Sequence, residues 1–179
     1  MSTAVSTKWM VDKAHSEVQF KVKHLVISTV TGSFGEFDCT VESKNEDFED
    51  AQIHFNANIN SISTNNSQRD QHLRSGDFFD ADRFPSLVFV SKSLKKTKGN
   101  HYELTGDLTI RNATNPVVLK VTYGGTVKDA YGNTKAGFEV EGKINRKDFD
   151  LTWNAVTEAG GVVVGEEVKI LASIQFLLA

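Results

Sequence analysis

The sequence predicts an all-β chain: an eight-stranded antiparallel up-and-down barrel with a short helical cover. Three observations carry this. Apolar and polar residues alternate along most of the 179 residues, the period-two mark of strands with one dry and one wet face. Short turn-like connectors separate many of the runs, so successive strands are neighbours. One long connection carries a polar stretch with helix-capping residues at both ends.

Strands are expected near 16–24, 33–43, 51–60, 86–95, 100–111, 116–128, 134–146 and 165–178. Val18, Phe20 and Val22 share the dry phase of the first. Phe34 and Phe37 fall out of phase across Gly35, which predicts a bulge in the second. Ile53, Phe55, Ala57 and Ile59 are in phase, as are Leu104, Gly106, Leu108 and Ile110. Phe138, Val140, Gly142 and Ile144 follow the same rule, and so do Val168, Ile170, Ala172, Ile174, Phe176 and Leu178. KTKGN, NATNP and DAYGN read as turns. One-faced strands argue against a parallel sheet covered on both sides. Eight in series most simply close into a barrel, which removes exposed edges; a two-sheet sandwich is the alternative.

Composition narrows the function. A formal net charge of −3 with mixed signs leaves no nucleic-acid footprint. Cys39 is the single cysteine, so an internal disulfide and a cysteine-built metal site are excluded. No stretch has the roughly 18 consecutive apolar residues of a membrane-spanning helix. The N-terminus has no basic start followed by an apolar run. The expectation is a soluble, cytoplasmic protein, periplasmic only if a leader was removed. Residues 1–8 are expected as a disordered tail and 9–179 as one domain.

The densest chemistry lies in NNSQRDQHLRSGDFFDADRFP at 65–85. Residues 66–75 read as a helix, with Asn65 or Asn66 capping its start, Gly76 ending it, and Asp70 paired to Arg74 one turn on. Phe78, Phe79 and Phe84 follow, so the segment reads as a lid over one barrel end. His72 with Asp70 or Asp77 has the makings of an acid–base pair. Yet no nucleophile motif, calcium loop or zinc-binding helix motif accompanies it. Structural pinning of the lid, contact with a ligand headgroup, and catalysis are the three readings. A second long connection, 146–164, contains Trp153 and the Gly160–Gly161 pair.

An eight-stranded barrel is either filled by side chains or holds one small ligand. Ala57, Gly106, Gly142 and Ala172 sit in mid-strand among large neighbours. They would either leave room for a narrow apolar channel or let the barrel taper shut. The pattern alone leaves both open.

With these residues in view, the chain resembles the YceI-like, or polyisoprenoid-binding, family. The likeness rests on VDKAHSEVQFKVKHL (11–25), TGSFGEF (31–37), RDQHLRSGDFFDADRFP (69–85) with Phe89-Val90-Ser91, GDLTIRNATNPV (106–117) and RKDF (146–149). It runs from about Trp9 to the C-terminus. It implies an extended, lipocalin-like barrel whose pore holds a long apolar amphiphile: a polyisoprenoid, an isoprenoid quinone or a fatty-chain amide. That favours the hollow interior. It implies binding, storage or transport without catalysis, and no cofactor other than a bound apolar lipid or quinone. A homodimer is compatible with the family, though no residue pattern reads it.

On this reading the dry phases supply the pore lining: Phe20, Val22, Leu25, Ile27, Phe37, Ile59, Leu73, Phe78, Phe79, Phe89, Leu108, Phe138, Trp153 and Ile174. Trp153 is alternatively a packing plug. His24 and His72 either face a headgroup at the mouth or are satisfied structural histidines. Arg69, Asp70, Arg74 and Asp77 hold the lid helix. Asn112 and Asp150 stand where the family commonly has glycine, and no export signal is present. The competing functions are a protein-interaction or stress-related module with a filled barrel, and a lipid-modifying enzyme using His72.

Overall fold

The computed structural model describes residues 7–25, 27–44, 48–154 and 164–179. Its strand segments are β1 (Thr7–Val11), β2 (Glu17–His24), β3 (Ser28–Phe34), β4 (Phe37–Ser43), β5 (Gln52–Asn58), β6 (Ile62–Ser63), β7 (Ser86–Lys98), β8 (His101–Ile110), β9 (Ala113–Lys128), β10 (Thr134–Asn145) and β11 (Val164–Leu178). They form one sheet, and the β1–β11 pairing closes it.

The closed ring has eight staves, because three of them are broken in two. β1 and β2 lie end to end along one edge of β11: Val11 opposes Phe176 and Val18 opposes Ala172. β3 and β4 form the next stave, pairing with β2 and β1, and β5 and β6 the third. Every pairing is antiparallel. The eight-stranded up-and-down barrel expected from the sequence is the fold.

Each break has a local cause. Between β1 and β2, the Ser16 hydroxyl donates to the Asp12 carbonyl at 2.7 Å and accepts from the Gln175 N–H at 3.0 Å. These bonds bridge a single turn at Lys13–His15. Between β3 and β4, the chain bends at Gly35 and Glu36, which puts Phe34 and Phe37 both inside; the phase shift expected as a bulge within one strand is a break between two. The Gly35 N–H reaches the Ser61 carbonyl at 3.2 Å.

Two expectations need correction. Thr7 and Lys8 belong to β1, not to a disordered tail, and pair with Ser43 and Glu42; residues 1–6 lie outside the described residues. The NATNP turn is shorter than expected, because β9 already begins at Ala113. The reversal falls on Arg111 and Asn112, with Arg111 in the left-handed region at φ 54°. Asp150 is also left-handed, at φ 61°. Aspartate's short polar side chain tolerates a conformation that glycine favours, which accounts for aspartate at that turn.

One end of the barrel carries helix α1 (Ser67–Arg74), the 76–85 segment and the 146–154 connection. The other end is stopped by aromatic rings. Phe48 packs 5.5 Å from Trp9, 5.4 Å from Tyr123 and 5.1 Å from Phe138, centroid to centroid.

Candidate binding cavity

The dry faces of the staves surround a cavity of ≈ 230 Å³. Its wall is apolar except for Gln19, Cys39 and Arg146. It begins against Phe48 and ends beneath Leu73, Phe78 and Phe79 of the cover. Val18, Phe20 and Val22 contribute from β2, Phe89 and Leu94 from β7, Leu104, Leu108 and Ile110 from β8, and Phe138, Val140 and Ile144 from β10. β11 contributes every second residue from Val168 to Phe176.

Of the predicted lining residues, Phe20, Val22, Leu73, Phe78, Phe79, Phe89, Leu108, Phe138 and Ile174 face this cavity. Five predicted residues do not. Ile27 is 85% exposed and Leu25 is also outward, because the chain reverses there with Leu25 at φ 54° and the period-two phase is lost. Phe37 and Ile59 are buried but pack within the wall; Phe37 stacks on Phe55 at 6.1 Å. Trp153 lines a second, smaller cavity of ≈ 170 Å³ at the covered end. The two cavities share Phe20, Val22, Leu73, Phe78 and Val164 as a common wall.

The second cavity is polar on its outer side, with Lys23, His24, Thr64, Arg69 and His72 among its lining residues. Both predicted headgroup histidines are therefore brought together here, from opposite elements. His72 is held by the Asp77 carboxylate at 2.8 Å and packs edge-on to Trp153 at 4.6 Å and Phe78 at 5.0 Å.

The cover is pinned through Thr64 rather than along the helix. Asn66 caps α1, its side chain accepting from the Arg69 N–H at 3.0 Å. Ser75 ends it, one residue before the expected Gly76. The buried Asp70 carboxylate accepts from the Thr64 N–H at 2.8 Å and the Thr64 hydroxyl at 2.6 Å. Arg69 donates to the same hydroxyl and to the Thr64 carbonyl, both at 2.7 Å. Among the described residues no ion pair joins Asp70 to Arg74. The expected helix pairing loses to Thr64, because a carboxylate at this depth needs short, direct donors.

Sequence reasoning overlooked Arg146, which is 2% exposed and lines the main cavity. Its guanidinium donates to the carbonyls of Gly165 at 2.8 Å, Leu151 at 2.5 Å, Trp153 at 2.8 Å and Val164 at 3.2 Å. Burial lowers its pKa below the ordinary guanidinium value, against the opposing charge of Glu166. The one available signal was an arginine directly after a strand in the RKDF segment. Gly160 and Gly161 lie outside the described residues.

Cys39 is the nucleophilic side chain of the main cavity, but burial, aided by the charge of Asp38, pushes its thiol up to about 12. No group of three or more histidine, cysteine, aspartate or glutamate side chains among the described residues is arranged to hold a metal ion. No helix among them is long and apolar enough to cross a membrane.

A closed barrel around an apolar cavity, with polar groups gathered at one end, defines a binding barrel for an apolar molecule. The chain belongs to the YceI-like domain family, whose model matches residues 9–176. A UPF0312 protein of Staphylococcus aureus strain MSSA476 is 39% identical over 174 residues, covering 97% of this chain and 99% of the relative. The crystal structure of the Campylobacter jejuni YceI protein is 29% identical, covers 99% of this chain and 98% of that one, and superposes with a TM-score of 0.74. A polyisoprenoid binding domain from Saccharophagus degradans shares the fold with a TM-score of 0.65 at 12% identity, over 96% of this chain and 98% of that one.

Proposed function

We propose that the protein binds a long apolar amphiphile, a polyisoprenoid, isoprenoid quinone or fatty-chain amide, inside the barrel, and stores or carries it without chemical change. The observation that carries this is the apolar cavity of ≈ 230 Å³ inside the barrel, stopped at one end by Phe48 and joined at the other to a polar-edged cavity. Burial of a hydrocarbon chain gives about 0.8 kcal/mol per methylene, so such a cavity binds strongly with few polar contacts. The Saccharophagus degradans domain supports the fold; the cavity supports an apolar ligand, and the isoprenoid or fatty class rests on the family resemblance. Absence of chemistry is supported by the wall itself. Its thiol is held protonated, and its remaining side chains are apolar apart from one amide and one guanidinium. His72 is engaged with Asp77 in the outer cavity.

Native mass spectrometry of freshly purified protein, with organic extraction and fragmentation of the released molecule, tests the reading. A discrete bound mass of isoprenoid or fatty character is expected. A chain that is empty, and stays empty after incubation with polyprenols, quinones and fatty amides, would overturn it.

A further inference from the structure

We propose that the outer face of the barrel docks its covered end on an anionic bilayer, with the β2–β3 turn as the tip, so that the amphiphile passes between membrane and pore. The purpose of docking rests on the carrier reading above; the docking itself does not. The carrying observation is a row of lysines beside an apolar tip. Lys143 of β10 stands opposite Lys169 of β11, and Lys169 stands opposite Lys21 of β2. All three lie on the outer face, out of phase with the cavity-lining Ile144, Val168, Ile170, Phe20 and Val22. Lys23 follows on the same face. Just beyond it Leu25 and Ile27 stand outward, 39% and 85% exposed.

Like charges directly across a sheet repel and cost stability, so the row calls for a counter-charge. The chain supplies little. Among the described residues Lys143 reaches Glu167 only at 3.9 Å and Lys147 pairs with Glu166 at 2.7 Å. Lys21, Lys23 and Lys169 join no ion pair among them. The sign also changes along the barrel. Towards the end stopped by Phe48, the outward residues of the same staves include Glu139 and Glu141 on β10 and Glu17 on β2. At the covered end, Asp70, Asp77 and Asp80 are bound by Thr64, His72 and Arg83. Asp148 and Asp150 sit by the β8–β9 turn, three staves from β2, their carbonyls bound by Asn115 and Arg111. The heights suit a bilayer. Four residues at about 3.3 Å, on strands tilted about 40°, put Lys21 about 10 Å above Leu25 along the axis. Apolar faces enter the headgroup–acyl boundary by about 5–10 Å, so long lysine side chains at that height reach the lipid phosphates. Lys23 and His24 also border the outer cavity, so the docked tip brings that opening to the lipid. A soluble acidic partner would meet the lysines and leave the apolar tip in water; a bilayer meets both.

The test is flotation of the full chain with vesicles of phosphatidylcholine, alone or with about one-third phosphatidylglycerol. It needs no cargo, so its failure is separate from that of the carrier reading. Each lysine close to an anionic surface adds about fivefold in affinity. The anionic vesicles are therefore expected to bind about tenfold or more tightly than the neutral ones. They should release the protein as salt rises to about 1 M, where the screening length falls to about 3 Å. A Lys21→Gln, Lys143→Gln, Lys169→Gln variant removes repulsion rather than packing and should lose most of the preference. Ile27→Ser should weaken binding to both kinds of vesicle. Orientation is read from an Ile27→Cys variant carrying an environment-sensitive fluorophore, Cys39 being buried and out of reach of the label. Its emission should shift to the blue on anionic vesicles. The same label on Tyr131→Cys, 91% exposed in the β9–β10 turn at the opposite end, should not shift. Equal binding to the two kinds of vesicle, a triple variant that keeps the full preference, or a shift at 131 as large as at 27 overturns the proposal. If the lysines serve a soluble acidic partner instead, neither kind of vesicle floats the protein, and the proposal falls. An empty barrel that still docks would sink the carrier and leave the membrane face standing.

Discussion

If the tail lies along the barrel axis, affinity should climb with chain length and then stop. The cavity-facing residues of β11 run from Val168 to Phe176. Eight steps of about 3.3 Å on strands tilted by about 40° span about 20 Å along the axis. An extended chain advances about 1.2 Å per backbone bond, so about 16 carbons fill that length. Each buried methylene contributes about 0.8 kcal/mol, or about fourfold in the dissociation constant. A titration-calorimetry series of straight-chain primary amides should therefore fall about fourfold per carbon and level off near 16 carbons. The levelling is the specific claim, because Phe48, locked between Trp9, Tyr123 and Phe138, stops the far end. Affinity independent of length would refute an enclosed tail. Affinity still climbing well past the plateau would refute the stop.

Three further outcomes follow from named contacts. Thr64→Val removes the hydroxyl shared by buried Asp70 and Arg69 and should cost about 1–3 kcal/mol of stability in urea unfolding; a loss under about 0.5 kcal/mol would show the cover to be pinned elsewhere. Gly106→Ala puts a methyl 2.5 Å from both the Phe89 ring and the Val90 carbonyl and should cost about 1–3 kcal/mol. Gly76→Ala, with nothing within 4 Å, should be near neutral, and equal effects at the two sites would refute the close approach. Burial alone would raise the Asp12 carboxyl, but hydrogen bonds and charge from Lys135 and His15 outweigh it and hold the group below its ordinary value. Its contribution is therefore full above the unfolded-state carboxylate value and lost as pH falls through the lowered one. Lys135→Met should cost about 1 kcal/mol in neutral solution and progressively less in acid; a penalty constant with pH would remove Asp12 from the account.

The fold was legible because a one-sided barrel writes its inside and outside on alternate residues. Val18, Phe20 and Val22, or Val168 through Phe176, need only period two to be placed. Reading failed where the period fails. At Leu25 and Ile27 the chain turns, so an apolar residue no longer implies the dry face. Phe37 and Ile59 keep the phase but flank breaks in their staves, and their side chains are absorbed by the wall. The helix was found by its caps, yet its pairing was misjudged, because local spacing does not reveal that Thr64 offers Asp70 two donors. Arg146 was invisible for a related reason. Its role depends on carbonyls from Leu151 to Gly165 converging in space, and no spacing rule encodes that.

The sequence left open whether small residues in mid-strand hollow the barrel or let it close, and the geometry answers in a third way. A Cβ on Gly32 would collide with the ring of Phe20, the residue directly opposite on β2. One on Gly106 would collide with Phe89, and one on Gly142 with Leu119. Each glycine is thus the seat on which a large neighbour's side chain lies. Phe20, Phe89 and Leu119 still line the cavity, so they cover the wall instead of crossing the lumen. The glycines keep the barrel hollow indirectly. They add little volume at their own positions, but they let the bulky side chains that seal the wall lie flat against it. A wall sealed this way is dry, which is what a hydrocarbon chain requires and what a polar solute would find unfavourable.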